Sequence, residues 1–238
     1  MPSEQRIYPH PTRPSNPNAL ELAIYQFELK AKKFHDAKLA GVPASSEEEK
    51  ALLEKMTRDY EHLEAEKSRI TGLVIAQESL KAYREACSSA SLKDLKEEAH
   101  HPTDRLARHL ASVGEPKPTK RREPHHIVCG KGKFLRSRMM RARLNLHLNG
   151  IGINDPSNGV WMINFHKNKP EDWATPSTPS HRGIHRYNYE TWITRHLGQT
   201  SLQKDIFERR LRHIKNQIKS GSLPAQVLAP KDTSWKGI

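Results

Sequence analysis

The chain has 238 residues, with 40 Lys and Arg against 27 Asp and Glu, 35% hydrophobic residues and only 6% aromatics. That length admits one large domain or two modest ones, and a helical bundle rich in Leu and Ala can still fold on so lean an apolar content. Two cysteines, Cys87 and Cys129, exclude a disulfide framework, and with no run of about 18 apolar residues and no apolar core near the N-terminus neither a spanning helix nor a cleaved leader is expected.

Charge is unevenly placed. Residues 1–114 carry 17 basic and 18 acidic side chains, whereas residues 115–238 carry 23 and 9. The second half is a polycation whose expected partner is a polyanion, with nucleic acid ahead of an anionic membrane surface or an acidic inhibitor protein.

Five prolines between Pro2 and Pro17 predict an extended arm over 1–17. Leu20, Ile24, Phe27, Ala31 and Phe34 then follow a heptad seam, and Gly41-Val-Pro43 ends that helix. Ser45-Ser46-Glu47-Glu48-Glu49 reads as a capping box. Leu53, Met56, Tyr60, Leu63, Ile70 and Val74 continue the seam, with Lys67 the polar interruption. The expectation is a helical hairpin, 18–40 against 46–87, either a docking module or a helical domain packed on itself. Shorter helices are expected near 91–99 and 103–112. Glu115-Pro-Lys-Pro118 marks the boundary of a second domain, 113–222, after a helical region at 18–112.

In that second domain His126-Ile-Val-Cys129 reads as a short strand and 134–148 as a helix. Val160–Ile163 reads as a second strand after the Asn158-Gly159 turn. Helices follow near 185–197 and 202–219, and 223–238 is a tail. The fold class expected is α+β, mostly helical.

The chemistry concentrates in three places: His125-His126, Asn158, and His181 with His185. Phosphodiester hydrolysis needs a base for water, and charge stabilisation at the phosphate and the leaving oxygen. A neutral imidazole, with an unperturbed pKa of about 6.5, suits the first, and a divalent cation suits the second. Adjacent His on a strand face opposite ways, so one of His125 and His126 can bind metal while the other faces water. His181 and His185 converge if the turn is helical, although Gly183 between them favours a turn that becomes helix only near His185. Asn158 is read as bonding to the backbone flanking the His pair, or as a residue chosen only for its turn. Cys129 is read as a buried thiol, and His147, His166, His196 and His213 as surface residues. His100-His101 is read as a helix-end pair offsetting a dipole.

Residues 102–222 resemble the AHH family, a branch of the HNH/endonuclease VII (His-Me finger) nucleases. The likeness runs through Leu106–Leu110 with Gly114, His125-His126-Ile127-Val128, Gly152–Asp155, Asn158–Trp161 and His185–Tyr189. Pro124 stands where the family takes its name from Ala. The resemblance implies a ββα-metal domain with His126 as general base and Asn158 as its positioning residue. It also implies His125 and His185 as metal ligands, with His181 a further one, and a divalent ion, foremost Mg²⁺, with Zn²⁺, Mn²⁺ or Ni²⁺ as alternatives. Arg136, Arg138, Arg141, Arg143, Arg182 and Arg186 are the expected DNA-backbone contacts. The function so implied is a DNase of little sequence specificity, acting as a secreted antibacterial effector with an acidic immunity protein. The N-terminal helices would serve a secretion carrier or chaperone. Such a protein is made in the cytoplasm, leaves without a cleaved signal and acts in the target-cell cytoplasm; no membrane partner is expected. An RNase on the same scaffold, or a non-catalytic nucleic-acid-binding protein with a structural zinc, are the competing readings.

Overall fold

The computed structural model describes residues 9–40, 46–174, 176–199 and 202–238. The chain divides into two compact units, Met1–Ile75 and Ala76–Ile238.

In the first unit, α1 (Ala19–Leu39) starts at a capping box. The Asn18 side chain accepts from the amides of Leu20 and Glu21, and the Glu21 carboxylate accepts from the Asn18 amide. Helix α2 (Ser46–Ser89) opens with Glu47, Glu48 and Glu49 at the positive end of its dipole. The expected helix stop at 41–43, the capping hydroxyl of Ser45 and the first part of the Pro-rich arm lie outside the described residues. Phe34 meets Tyr60 with ring centroids 6.2 Å apart, and Lys30 Nζ lies 3.0 Å from His62 Nε2. Among the described residues of this unit only Leu63 is buried.

The second unit holds the end of α2, then α3 (Leu92–Glu97), α4 (Asp104–Ser112), β1 (Arg122–His126) and α5 (Arg136–Leu148). It continues with β2 (Gly159–Ile163), α6 (His181–Ile184), α7 (Tyr187–Leu197) and α8 (Lys204–Ser220). The strands form one antiparallel pair in which His125 faces Val160 and His126 faces Gly159. Packed around it is a core that includes Ile127, Met139, Leu146, Tyr189, Trp192, Phe207, Leu211 and Ile214, each at most 2% exposed. Fully burying an aliphatic or Phe side chain contributes about 1.5–3 kcal/mol, so α5, α7 and α8 are held chiefly by these contacts. Leu106 and Leu110 of α4 pack on Trp161 as a smaller second cluster. Mostly helical α+β is therefore the observed class.

Three boundaries differ from the sequence reading. The strand expected from His126 onward lies earlier, at 122–126, so the His pair closes it. Pro124 fits because a two-stranded ribbon has only edge strands, where a missing N–H is tolerated. Beyond the pair the ladder passes to one side chain: Ile127 N donates to the Asn158 carbonyl, and Val128 N to Asn158 Oδ1.

The second compact unit also begins at Ala76, well before residue 113. The end of α2 is tied into it by polar contacts that in sequence look like ordinary helix surface. Arg84 Nε donates to Asp155 at 2.7 Å, and Asn154 N donates to the Tyr83 hydroxyl at 3.0 Å. Tyr83 and Cys87 occupy the space beside Gly152, where a Cβ would come 2.0 Å from the Tyr83 oxygen. Third, the segment read as a tail belongs to the fold. The Asn188 amide donates to the carbonyls of Gln226 and Pro230, and Val227 is fully buried.

Candidate metal centre and base

His125 and His126 leave the end of β1 in opposite directions, as alternation along a strand requires. His125 points toward α6 and α7. Its ring lies 5.1 Å, centroid to centroid, from those of His181 and His185, which are themselves 5.0 Å apart. One nitrogen from each of the three falls within 4.8 Å of the others. Among the described residues this is the one group of three or more His, Cys, Asp or Glu that could share an ion. His126 and Cys129 stand outside it.

His181 and His185 do not share a continuous helix. His181 opens the single turn of α6, capped by the Ser180 hydroxyl on Gly183 N at 3.2 Å, and His185 ends it with φ −70° and ψ 74°. Helix α7 restarts at Tyr187. The break turns the His185 ring toward His125 while the chain changes direction.

Hydrogen bonds fix which nitrogens are free. The Tyr189 hydroxyl donates to the Ile127 carbonyl at 2.8 Å, so its oxygen accepts from His125 Nε2–H at 3.0 Å. That leaves the His125 Nδ1 lone pair available. Burial holds the Tyr189 proton on and, with His181 and His185 nearby, keeps His125 well below the usual histidine range. His181 Nδ1 donates to the Glu123 carboxylate at 2.7 Å, which leaves Nε2. Carboxylate support of a ligating His sets its tautomer and raises its basicity. Desolvation, with His181 and Arg182 next in weight, brings His185 down to about 4. His125 and His185 therefore offer unprotonated imidazole nitrogen, the form a cation binds.

On the other side of β1, His126 is 5% exposed, and its Nε2 lies 3.0 Å from Asn154 Oδ1. The Asn154 amide donates to Glu98 Oε1 at 2.7 Å and to the Ala99 carbonyl at 3.0 Å, so its oxygen is the acceptor. His126 Nε2 therefore carries the hydrogen and Nδ1 is the basic site. Burial, only partly offset by Asn154, brings its pKa down to about 4, so the ring is neutral near pH 7. Asn158, fully buried, holds backbone and not the ring. It accepts from Val128 N at 2.8 Å and donates to the Val128 and Ile153 carbonyls at 3.1 and 2.9 Å.

Residues 106–220, about half the chain, match the model of AHH, a nuclease family of the HNH/ENDO VII superfamily with conserved AHH. This half of the chain belongs to the AHH nuclease family. The AHH segment contains the whole histidine cluster, His126 and Asn158, and leaves Tyr83, Glu98 and His100-His101 outside. Searches of curated proteins and of solved structures return no match.

The six arginines expected at DNA are dispersed over the AHH segment. Arg136, Arg138 and Arg141 are exposed on α5, and Arg138 and Arg141 share a cleft with Tyr187, Arg195 and Lys236. Arg182 is exposed over the Phe165 ring at 5.5 Å. Arg186 donates to the Gly183 and Leu228 carbonyls. Arg143 is different: it is 2% exposed, and its guanidinium bonds to the carbonyls of Leu95, Glu98 and Gly130. It leaves the phosphate-binding set.

Sequence reasoning missed Glu123, Asn154 and Tyr189, the three groups that fix the tautomers. His147, read as a surface residue, is buried, its ring bonded to the Ile151 carbonyl and to Arg143. His100 and His101 follow the end of α3 and approach the His126 ring, with centroids 5.9 and 6.4 Å away. The helix-end reading of that pair gives way to a place beside His126.

Proposed function

We propose that the protein is a divalent-metal-dependent endonuclease acting on DNA with little sequence specificity. The observation that carries the proposal is one arrangement: three imidazoles converge on one side of β1, and a fourth, with its basic nitrogen unbonded, lies on the other.

The donor set fits a metal. Three imidazoles with no carboxylate among them suit Zn²⁺, or another borderline ion such as Ni²⁺, better than Mg²⁺, which takes oxygen ligands. This moves the expectation away from Mg²⁺. His125, His181 and His185 would hold the ion, with no fourth protein ligand among the described residues to close the site as structural zinc sites require. When bound, the ion supplies Lewis-acid stabilisation of charge on the phosphate and the leaving oxygen.

The chain's own residues supply the rest. His126 Nδ1 takes the proton of the attacking water while Asn154 holds Nε2–H, so the ring cannot present the wrong nitrogen. Asn158 keeps the β1 end at fixed distance from the Ile153–Asp155 turn, which carries Asn154. Arg138 and Arg141 with Arg195 offer cations to backbone phosphates, which favours affinity without base readout.

The excess of basic over acidic residues in 115–238 supports nucleic acid as substrate and an acidic immunity protein as inhibitor. The wider reading is an antibacterial effector that is exported and acts in the target cytoplasm. Its helical first unit, with so little buried, would engage a carrier or chaperone. No described helix is long and apolar enough to cross a membrane.

The test is degradation of plasmid DNA and of structured RNA by chelator-stripped protein, with Zn²⁺, Ni²⁺, Mn²⁺ or Mg²⁺ restored singly. Cleavage of DNA that depends on an added ion is expected. Equal cleavage without any ion would contradict the proposal, and RNA-only cleavage would replace the substrate.

A further inference from the structure

Between α3 and α4 the chain carries a second His pair, His100-His101, outside the residues that match the family. Four contacts hold this segment in place, three of them to residues of the AHH segment. The Ala99 carbonyl accepts from Asn154 Nδ2 at 3.0 Å, and the Glu98 carbonyl accepts from Arg143 at 2.7 Å. The Glu98 carboxylate accepts from the Tyr83 hydroxyl at 3.0 Å. The His100 ring lies where a side chain at position 130 would otherwise stand: a Cβ on Gly130 would come 2.2 Å from it. This is an anchored segment, and the same Asn154 that orients His126 anchors it.

His101 is the outer member of the pair. It is exposed, its ring lies 4.5 Å from that of His100, and it meets the His126 ring nearly edge to face at 86°. An exposed imidazole whose ring stands beside that of His126 can meet an oxygen of a phosphate that His126 serves.

We propose that His101 is a substrate-binding residue that donates a ring N–H to a non-bridging oxygen of the scissile phosphodiester. The inference rests on the nuclease reading and adds to it a contact supplied from outside the AHH segment. A phosphate served by His126 has anionic oxygens on its solvent side, and His101 is an exposed donor whose ring centroid lies 6.4 Å from that of His126. His100 supports His101 and takes no part itself, since it is packed against Gly130.

The experiment uses the full chain and two substrates, plasmid DNA and bis(p-nitrophenyl) phosphate, a small diester that touches only the reacting centre. His101→Ala should lower kcat/KM for both by about 10- to 100-fold, the loss of one hydrogen bond to a charged group. His101→Asn, which keeps an N–H donor, should recover part of it. Thermal midpoint and Zn²⁺ affinity by calorimetry should stay at wild-type values, because the residue is exposed and outside the cluster. A loss confined to DNA, with the small diester hydrolysed normally, would place His101 on the flanking backbone and overturn the assignment. Wild-type rates for His101→Ala on both substrates would overturn it while leaving the nuclease reading intact. An equal drop in His101→Ala and His101→Asn, with a lowered thermal midpoint, would make the residue structural and refute the proposal. Wild-type protein inactive on either substrate with every ion would remove the nuclease reading itself.

Discussion

Glu123→Ala tests whether the histidine cluster is built for a cation. Glu123 sits on β1 opposite Met162 and accepts Nδ1–H of His181 at 2.7 Å. It is partly exposed, with 35% of its side-chain surface open, so the pair itself adds at most about 1 kcal/mol to stability. Its weight should appear in metal binding. Without the carboxylate the His181 ring is free to rotate and to place its proton on either nitrogen, and one tautomer blocks Nε2. Loss of such outer partners typically weakens metal binding by about 10- to 100-fold, or about 1.4–2.7 kcal/mol. Glu123→Gln keeps an acceptor oxygen and should lose less. The assay is Zn²⁺ titration calorimetry of chelator-stripped protein at fixed pH and salt, beside thermal unfolding of each variant. Unchanged affinity in a folded Glu123→Ala protein would refute the argument. If Gln proved as damaging as Ala, Glu123 would be a ligand in its own right.

Four further outcomes follow from the structure. Asn158→Ala strips partners from Val128 N–H, Val128 C=O and Ile153 C=O, each a buried group costing about 1–3 kcal/mol unpaired, so stability should fall by about 3 kcal/mol or more in urea unfolding. A variant as stable as wild type would show that the amide does not hold the strand end. Neutralising Arg138 and Arg141 together should weaken DNA binding alike across sequences and reduce the salt slope by about 1–2. Arg143→Ala should instead lower the unfolding midpoint, and a pure binding loss there would contradict its buried placement. A fragment spanning 76–238 should fold and cleave, whereas one starting at 102 should lose activity, since it lacks Tyr83, Arg84, Glu98 and His101; full activity in the shorter fragment would contradict the role given to the α2 end and to His101.

What the sequence made legible was the periodic and the local. Heptad spacing marked the hairpin, and His125-His126, Asn158-Gly159 and His181/His185 marked the site in chain order. Strand alternation alone indicated that only one of the paired His joins the cluster. The residues that escaped notice act across long separations. Glu123 reaches His181 over 58 positions, Tyr189 reaches the Ile127 carbonyl over 62, and Arg84 reaches Asp155 over 71. No periodicity reports such pairs. Arg143 was misplaced because its charge suggested the surface: it stands four residues after Met139 and three before Leu146, on the buried face of α5, where three carbonyls from other segments satisfy it. His100-His101 looked like a helix-end pair because the fold, and not the local sequence, brings it to His126.

His126→Ala loaded with one equivalent of Zn²⁺ tests whether His126 is the base beside a separate three-imidazole metal site. Wild-type metal affinity and fold are expected, with the plasmid nicking rate down by about 10²–10⁴-fold. Nicking at the wild-type rate by that metal-loaded, folded variant would contradict it.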